Sequence, residues 1–357
     1  MMELVAWQRT CFQNTPHAYE LFIEQYPQSR FVEQAKRKIE TIKWLSDRCV
    51  SVSVARYFEK AKDVRSGNIE PLVSEMIEAF GLKAPSISGE ECDASLKITL
   101  HGTPMGSYYR DAGSSSPLKF LYTGAKVTID LVLESEATGK IARKLKGEEK
   151  VPSSAPASGH EDPASAPFDA AISKANLEGA LMEMLYSYLS AQGAISRTHA
   201  IESLAELAES ADVNRAKAAE TMILKVGEPA VDILIDRLKY GKKRARTHAA
   251  RLLGALGDKR AVGPLTLALA DRDTEVRKNA LEALDHIDSD WRKSPQVRAA
   301  VEQLIGLLSD RERAVRRAAA QALAQISGED FGEDAERWQS WLKSSSEGGT
   351  ETAPNEG

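Results

Sequence analysis

The stretch "VRKNALEALDHI", Val276–Ile287, decides the fold, because the chain writes it three times. Upstream stands "ARTHAARLLGAL", Ala245–Leu256, and downstream "VRRAAAQALAQI", Val315–Ile326. Arg246, Arg277 and Arg316 hold the same place in the three copies, 31 and 39 residues apart. The longer interval matches an insertion around "DSDWRKSP". A second apolar stripe precedes each copy at fixed offsets: Val231, Leu234 and Leu238, then Val262, Leu265 and Leu269, then Val301, Leu304 and Leu308. A less regular unit, "NRAKAAETMILKVG", comes before them. A period near 30 with two helical stripes per unit is the sequence form of an α-solenoid.

Each repeated letter has a physical task. Ala249, Ala280 and Ala319 stand where helices must approach closely, and a large side chain there would push them apart. Leu253, Leu284 and Leu323, with Leu256, Ile287 and Ile326, are expected to fill the shared core. No unit can bury its apolar face alone, so neighbours must stack. "GDKRAV" after Leu256 is a turn within a unit, opened by Gly257; "DRDTEVR" and "DRERAVR" are turns between units. There Asp271 or Asp273 is expected to cap the next helix and pair with Arg277, and Asp310 to do the same near Arg316. In the first copy Tyr240 stands where Asp271 and Asp310 stand, so Arg246 lacks an aspartate of its own.

The segments "GALGDKRAVGPLTLALADRDTEVRKNALEAL" and "VEQLIGLLSDRERAVRRAAAQALAQI" closely resemble the HEAT repeat family, in its short bacterial, phycobilisome-lyase-like variant. The ending "FGEDAERWQSWL" resembles the closing segment found after such repeats, with Trp338 and Trp341 covering the last open core edge. The resemblance implies a solenoid that binds protein or peptide partners along an extended face.

Residues 1–84 read as helical. Leu4, Trp7 and Cys11 share one helix face; Asn14 or Thr15 caps a second helix that carries Tyr19, Phe22 and Tyr26. Pro27 stops that helix, and Ser29 caps a third with Phe31, Val32, Ala35, Ile39 and Ile42. Ala18-Tyr19, Phe22, Tyr26-Pro27, Ser29, Phe31 and Ala35 resemble the helical hairpin of tetratricopeptide-like repeats, a pattern common in bacterial proteins. "NIEPLVSEMIEAFG" adds a helix ended by Gly81. Over 85–190 the period changes to two: Leu96, Ile98 and Leu100, then Val127, Ile129, Leu131 and Leu133. "ATGK" turns the chain into a return strand with Ile141 and Leu145, and a helix is expected over "FDAAISKANLEGALMEMLYSYLS". The Ser/Pro/Ala-rich segment 151–167 reads as a flexible loop. The fold class is therefore mainly α: helical and tetratricopeptide-like over 1–84, a small α+β domain over 85–190, a solenoid over 191–343 and a disordered tail over 344–357.

Hydrophobic residues make up 42% and charged residues 28% of the 357, the mixture of a globular chain. Net charge is −5, so no global basic field points to nucleic acid. Three cysteines, Cys11, Cys49 and Cys92, show no CxxC and no histidine neighbour. That spacing argues against a disulfide framework or a zinc site and for a reducing compartment. The opening residues lack a leader pattern, so the cytoplasm is expected, with the periplasm open to a chain whose leader has been removed. No apolar run approaches a membrane span.

No catalytic, cofactor or metal residue is assigned. Six histidines form no HExxH or HxH, and no phosphate-binding glycine loop or nucleophile elbow occurs. One feature breaks the rhythm of the repeats. "RLKYGKKRAR" places Arg237, Lys239, Tyr240, Lys242, Lys243, Arg244 and Arg246 together as a candidate partner-binding patch. Across 194–343 there are 25 Lys and Arg against 24 Asp and Glu, which argues against nucleic acid and for an acidic protein surface. The reading is a non-enzymatic interaction scaffold or adaptor; its rivals are a bilin-lyase-like enzyme and a nucleic-acid binder acting through 237–246.

Overall fold

The computed structural model describes residues 2–46, 48–58, 69–84, 92–111, 119–152, 171–172 and 175–347. The chain divides into two compact units, Met1–Met222 and Ile223–Gly357.

The first unit opens with α1 (Met2–Gln13), α2 (Pro16–Gln25) and α3 (Val32–Ser46). Thr15 is the cap of α2: its hydroxyl accepts from the Ala18 amide at 3.2 Å. Ser29 ties the next turn twice, accepting from the Phe31 amide at 3.1 Å and donating to Glu3 at 2.6 Å. The three helices close on an aromatic cluster. Trp7 stacks on Phe31 with centroids 4.9 Å apart, and Phe22 meets Trp7 edge-on at 5.1 Å.

Four strands follow: β1 (Val50–Phe58), β2 (Ala94–Asp111), β3 (Lys119–Ser135) and β4 (Gly139–Pro152), with α4 (Glu70–Ala79) between β1 and β2. They order β1-β2-β3-β4; β1 runs parallel to β2, and the rest is an antiparallel meander. β1 departs from the helical reading of 1–84. "VSVSVARYF" alternates, but it is an edge strand, and its alternate valines Val52 and Val54 are only half-buried, so the period-two signal is weak. The parallel crossover through α4 then becomes obligatory, because parallel strands cannot be joined by a tight turn. The predicted rows Leu96, Ile98, Leu100 and Val127, Ile129, Leu131, Leu133 are all buried, while Lys97 and His101 face solvent.

Of the helix expected from Phe168, the described residues Ala171 and Ile172 are helical, Ala175 and Asn176 form a turn, and α5 spans Leu177–Ala191. Asn176 adopts φ 54 and sets α5 off from the chain before it. Residues 168–170 and 173–174 lie outside the described set, as do 153–167 of the predicted loop. Ala171 and Ala175 press on β4: a Cβ at Gly147 would stand 1.7 Å from the Ala171 carbonyl oxygen, so only glycine fits. α6 (Ala194–Leu207) packs beside α5, and α7 (Val213–Val226) follows. Arg215 on α7 bridges Glu75 of α4 at 2.5 Å and Glu178 of α5 at 3.2 Å. Lys38 of α3 pairs with Glu202 of α6.

The cysteine reading is overturned. Cys49 and Cys92 are joined by a disulfide, with Cα atoms 5.0 Å apart. A separation of 43 residues carries no motif, and only the parallel pairing of β1 with β2 brings the two together. Cys11 is a free cysteine.

The second unit stacks helix pairs: α8 (Val231–Tyr240) with α9 (Lys243–Leu256), α10 (Val262–Ala268) with α11 (Thr274–Ile287), and α12 (Pro295–Leu307) with α13 (Arg313–Ser327), followed by α14 (Ala335–Glu347). Ala249, Ala280 and Ala319 are buried, as are Leu253, Leu284 and Leu323. Leu256, Ile287 and Ile326 are only half-buried, each at or next to a helix end. The insertion after α11 supplies a wedge: Trp291 is fully buried, and its indole N–H donates to Asp285 at 2.9 Å. The neighbouring Arg292 donates to the Gln325 carbonyl on α13 at 3.1 Å. Trp338 closes the C-terminal edge, fully buried, edge-on to Phe331 at 4.7 Å and to Trp341 at 5.9 Å. α14 runs to Glu347, into the segment read as a tail; residues 348–357 lie outside the described set.

α9 approaches α11 closely at Gly254, where a Cβ would sit 2.7 Å from both Cα and Cβ of Ala283. Gly254→Leu is expected to cost about 2–3 kcal/mol by overpacking, read by chemical denaturation. Gly263→Ala is the control, since its nearest neighbour atom is at 3.6 Å, and it should leave stability within about 0.5 kcal/mol.

Candidate functional site

The basic segment spans the turn between α8 and α9. Arg237, Lys239 and Tyr240 end α8; Gly241 and Lys242 form the reversal; Lys243, Arg244 and Arg246 begin α9. Gly241 is required by close packing, because a Cβ there would lie 2.4 Å from the Arg237 carbonyl oxygen. Lys239, Lys242, Lys243 and Arg244 are exposed, while Arg237 and Tyr240 are half-buried. Arg246 leaves the group: it is 7% exposed and points into the structure.

The reason is a shared carboxylate. Arg246 donates from Nε to Asp271 at 2.7 Å and from Nη2 at 2.9 Å, a two-pronged bond to the turn of the following unit. Its third contact, at 3.1 Å, is the Gly241 carbonyl. The missing aspartate at Tyr240 is therefore supplied by the neighbouring copy. Arg277 does not take the Asp271 carboxylate as expected; it donates to the Asp271 backbone carbonyl at 2.9 Å and to the Thr274 hydroxyl at 3.0 Å. The Asp271 carboxylate is already committed to Arg246 and to the Asp273 amide at 2.8 Å. Arg316 follows the same rule, reaching the Asp310 carbonyl at 2.9 Å and the Glu333 carboxylate ahead of α14 at 2.9 Å. All three arginines thus close their own turn through a backbone carbonyl, and two of them reach a carboxylate further along the chain.

The charge at the start of α9 runs against helix electrostatics. The positive end of a helix dipole favours acids and a Ser, Thr, Asp or Asn cap. α11 obeys: Asp273 accepts from the Glu275 amide at 3.0 Å, and Glu275 sits in the first turn. α9 has Lys242 at the cap, where no side chain hydrogen-bonds the first-turn amides, and no acid in its first turn. Part of the conflict is relieved sideways, since Lys243 pairs with Asp273 at 2.7 Å. The Lys243 ammonium and the Glu275 amide hold the Asp273 carboxyl below the usual carboxylate range. Arg272 and Arg311, both exposed, occupy the position of Gly241 in the next two turns. They were legible in "DRDTEVR" and "DRERAVR", but flanking acids hid them in the charge balance.

Residues 201–285 and 264–335 match the family model of HEAT repeats. No curated protein matches the chain. Among solved structures, the crystal structure of an engineered protein is similar at 24% identity, over 51% of this chain and 72% of that one, with a TM-score of 0.25. The HEAT match begins inside α6 and takes in α7, the less regular unit of the sequence.

Among the described residues no group of three or more His, Cys, Asp or Glu side chains is placed to hold a metal ion, and no helix is long and apolar enough to cross a membrane. His199 on α6 is held by its Nε2–H donating to the Phe80 carbonyl at 3.0 Å. Burial pushes its pKa down, with the Lys38 charge adding to the effect.

Arg246→Ala leaves the half-buried Asp271 carboxylate without its cation and is expected to cost about 2–3 kcal/mol, measured by denaturant unfolding. Arg246→Lys should recover only part of this, because a point ammonium cannot make the two-pronged bond. For His199 the unfolded chain takes up the proton first, so stability is full above about pH 6.5 and falls as pH drops through that value. His199→Gln should flatten that part of the pH–stability curve.

Proposed function

We propose that this chain is a non-enzymatic interaction protein whose HEAT repeats hold a partner protein through the basic turns of the second unit. HEAT repeats are generally protein-interaction scaffolds, which supports the class of function. One observation carries the choice of surface. The first turn of α9 displays Lys242, Lys243 and Arg244 where helix stability favours acids, and the structural arginine of the same segment is separately satisfied by Asp271. Exposed residues that oppose local helix stability are where a binding site is to be sought. The partner surface is acidic, and Arg272 and Arg311 at equivalent turns extend the same charge along the stacked repeats. The N-terminal helices α1–α3, read as a tetratricopeptide-like hairpin, give a second protein-binding module in this proposal, and the phycobilisome-lyase-like character is one of repeat type and not of activity.

The test exploits the conflict between stability and binding. Lys242→Asp installs a side-chain cap and is expected to stabilise the protein by roughly 1 kcal/mol. In a pull-down from extract of the producing cells, the same variant combined with Arg244→Glu should lose the proteins that the wild type retains in a salt-sensitive manner. Equal retention by wild type and variant would overturn the basic-turn reading. Retention that disappears on nuclease treatment would assign the patch to nucleic acid instead.

A further inference from the structure

The Cys49–Cys92 bond sits at a junction of three chain segments. Cys49 immediately precedes β1 and Cys92 stands just ahead of β2, and the first register pair of these parallel strands is Val50 with Ala94. The bond therefore closes the crossover at the point where both strands start. Lys83, at the end of the α4 region, joins them: its amide donates to the Arg48 carbonyl at 3.0 Å, and its own carbonyl accepts from Val50 at 2.9 Å. Arg48 pairs with Asp93, whose carboxylate also accepts from the Cys49 amide at 3.1 Å. β1 has a single sheet neighbour, β2, and lies next in the chain to the helices that precede it. Its attachment thus rests on the ladder to β2, on the Arg48–Asp93 and Arg56–Glu70 ion pairs, and on this crosslink.

We infer that Cys49–Cys92 is a structural disulfide of the mature protein and that the protein folds and works in an oxidising compartment. In reducing compartments such a pair is held as thiols, and structural disulfides are confined to oxidising ones. The bond forms by exchange with an oxidant of the disulfide class. The thiolate of one cysteine attacks that oxidant and expels a thiolate; the second cysteine then resolves the mixed disulfide, so two electrons pass to the oxidant and two protons are released. The third cysteine does not compete. Although Cys11 has exposed surface, its thiol lies against Tyr19, and burial pushes its pKa up to about 11, so it stays protonated and slow to exchange. One productive pairing remains.

The experiment counts thiols in the full-length protein from its own cells. Cells are lysed directly into denaturant containing a maleimide, so that every free thiol is labelled, and the protein is weighed by mass spectrometry without reduction. One adduct, on Cys11, is expected, and three after reduction; three adducts before reduction would overturn the inference. Thermal melts with and without reductant test the structural role. Reduction is expected to lower the melting temperature by roughly 10 °C. The Cys49→Ser/Cys92→Ser double variant should match the reduced wild type in both conditions, and Cys11→Ser should keep the reduction-dependent shift. An oxidised pair whose reduction leaves the melting temperature unchanged would overturn the structural role.

Discussion

The contact on which the second unit depends is the approach of α9 to α11 at Gly254 and Ala283. A HEAT unit cannot bury its apolar stripe alone, so its stability comes from the neighbour it stacks on. Stacking at this distance is possible only where side chains are absent or minimal, and a Cβ at Gly254 would already stand 2.7 Å from Ala283. The buried alanines Ala249, Ala280 and Ala319 answer the same demand in each second helix. Dispersion and apolar burial then follow from proximity, with Leu253, Leu284 and Leu323 filling what the small residues leave open.

Polar order is laid over that packing by the repeated arginine. Its first duty is local: Arg246, Arg277 and Arg316 each take a carbonyl of the preceding turn. Its second is to reach along the chain, as Arg246 does to Asp271 and Arg316 to Glu333. Between Arg277 and the following unit lies the insertion, and there Trp291 and Arg292 make the connections, to Asp285 and Gln325. With the arginines so employed, Lys242 and Lys243 remain exposed at the start of α9, and Lys243 pairs with Asp273 of the following turn.

The two units differ in how openly the sequence declares them. Helix pairs, their core positions and the tryptophan cap were legible because repetition multiplies a weak local signal; a position seen three times has a meaning that one helix would not reveal. The strands β2 and β3 were legible from their alternation, since one face is buried and the other wet, and β4 from the turn at Gly139 that returns the chain. β1 was not, because an edge strand with half-buried valines gives little contrast between its faces. The candidate site was half legible. Its charges could be read, but Arg246 could not be told from Lys242, as the difference lies in what each side chain meets after stacking.

By itself, then, the sequence determined the class of architecture: period, small-residue spacing and leucine stripes leave a stacked helical array as the arrangement that buries them. It also determined the composition of the basic turn. Only the tertiary structure decided which partners the charges find and which cysteines meet. Asp271 serves Arg246 and not Arg277 because successive units bring the two within hydrogen-bond range, while Arg277 is held to its own turn. Cys49 reaches Cys92 across 43 residues because parallel pairing aligns the starts of β1 and β2. Local pattern sets which faces must be buried; long-range contact sets who meets whom, and no spacing along the chain encodes that.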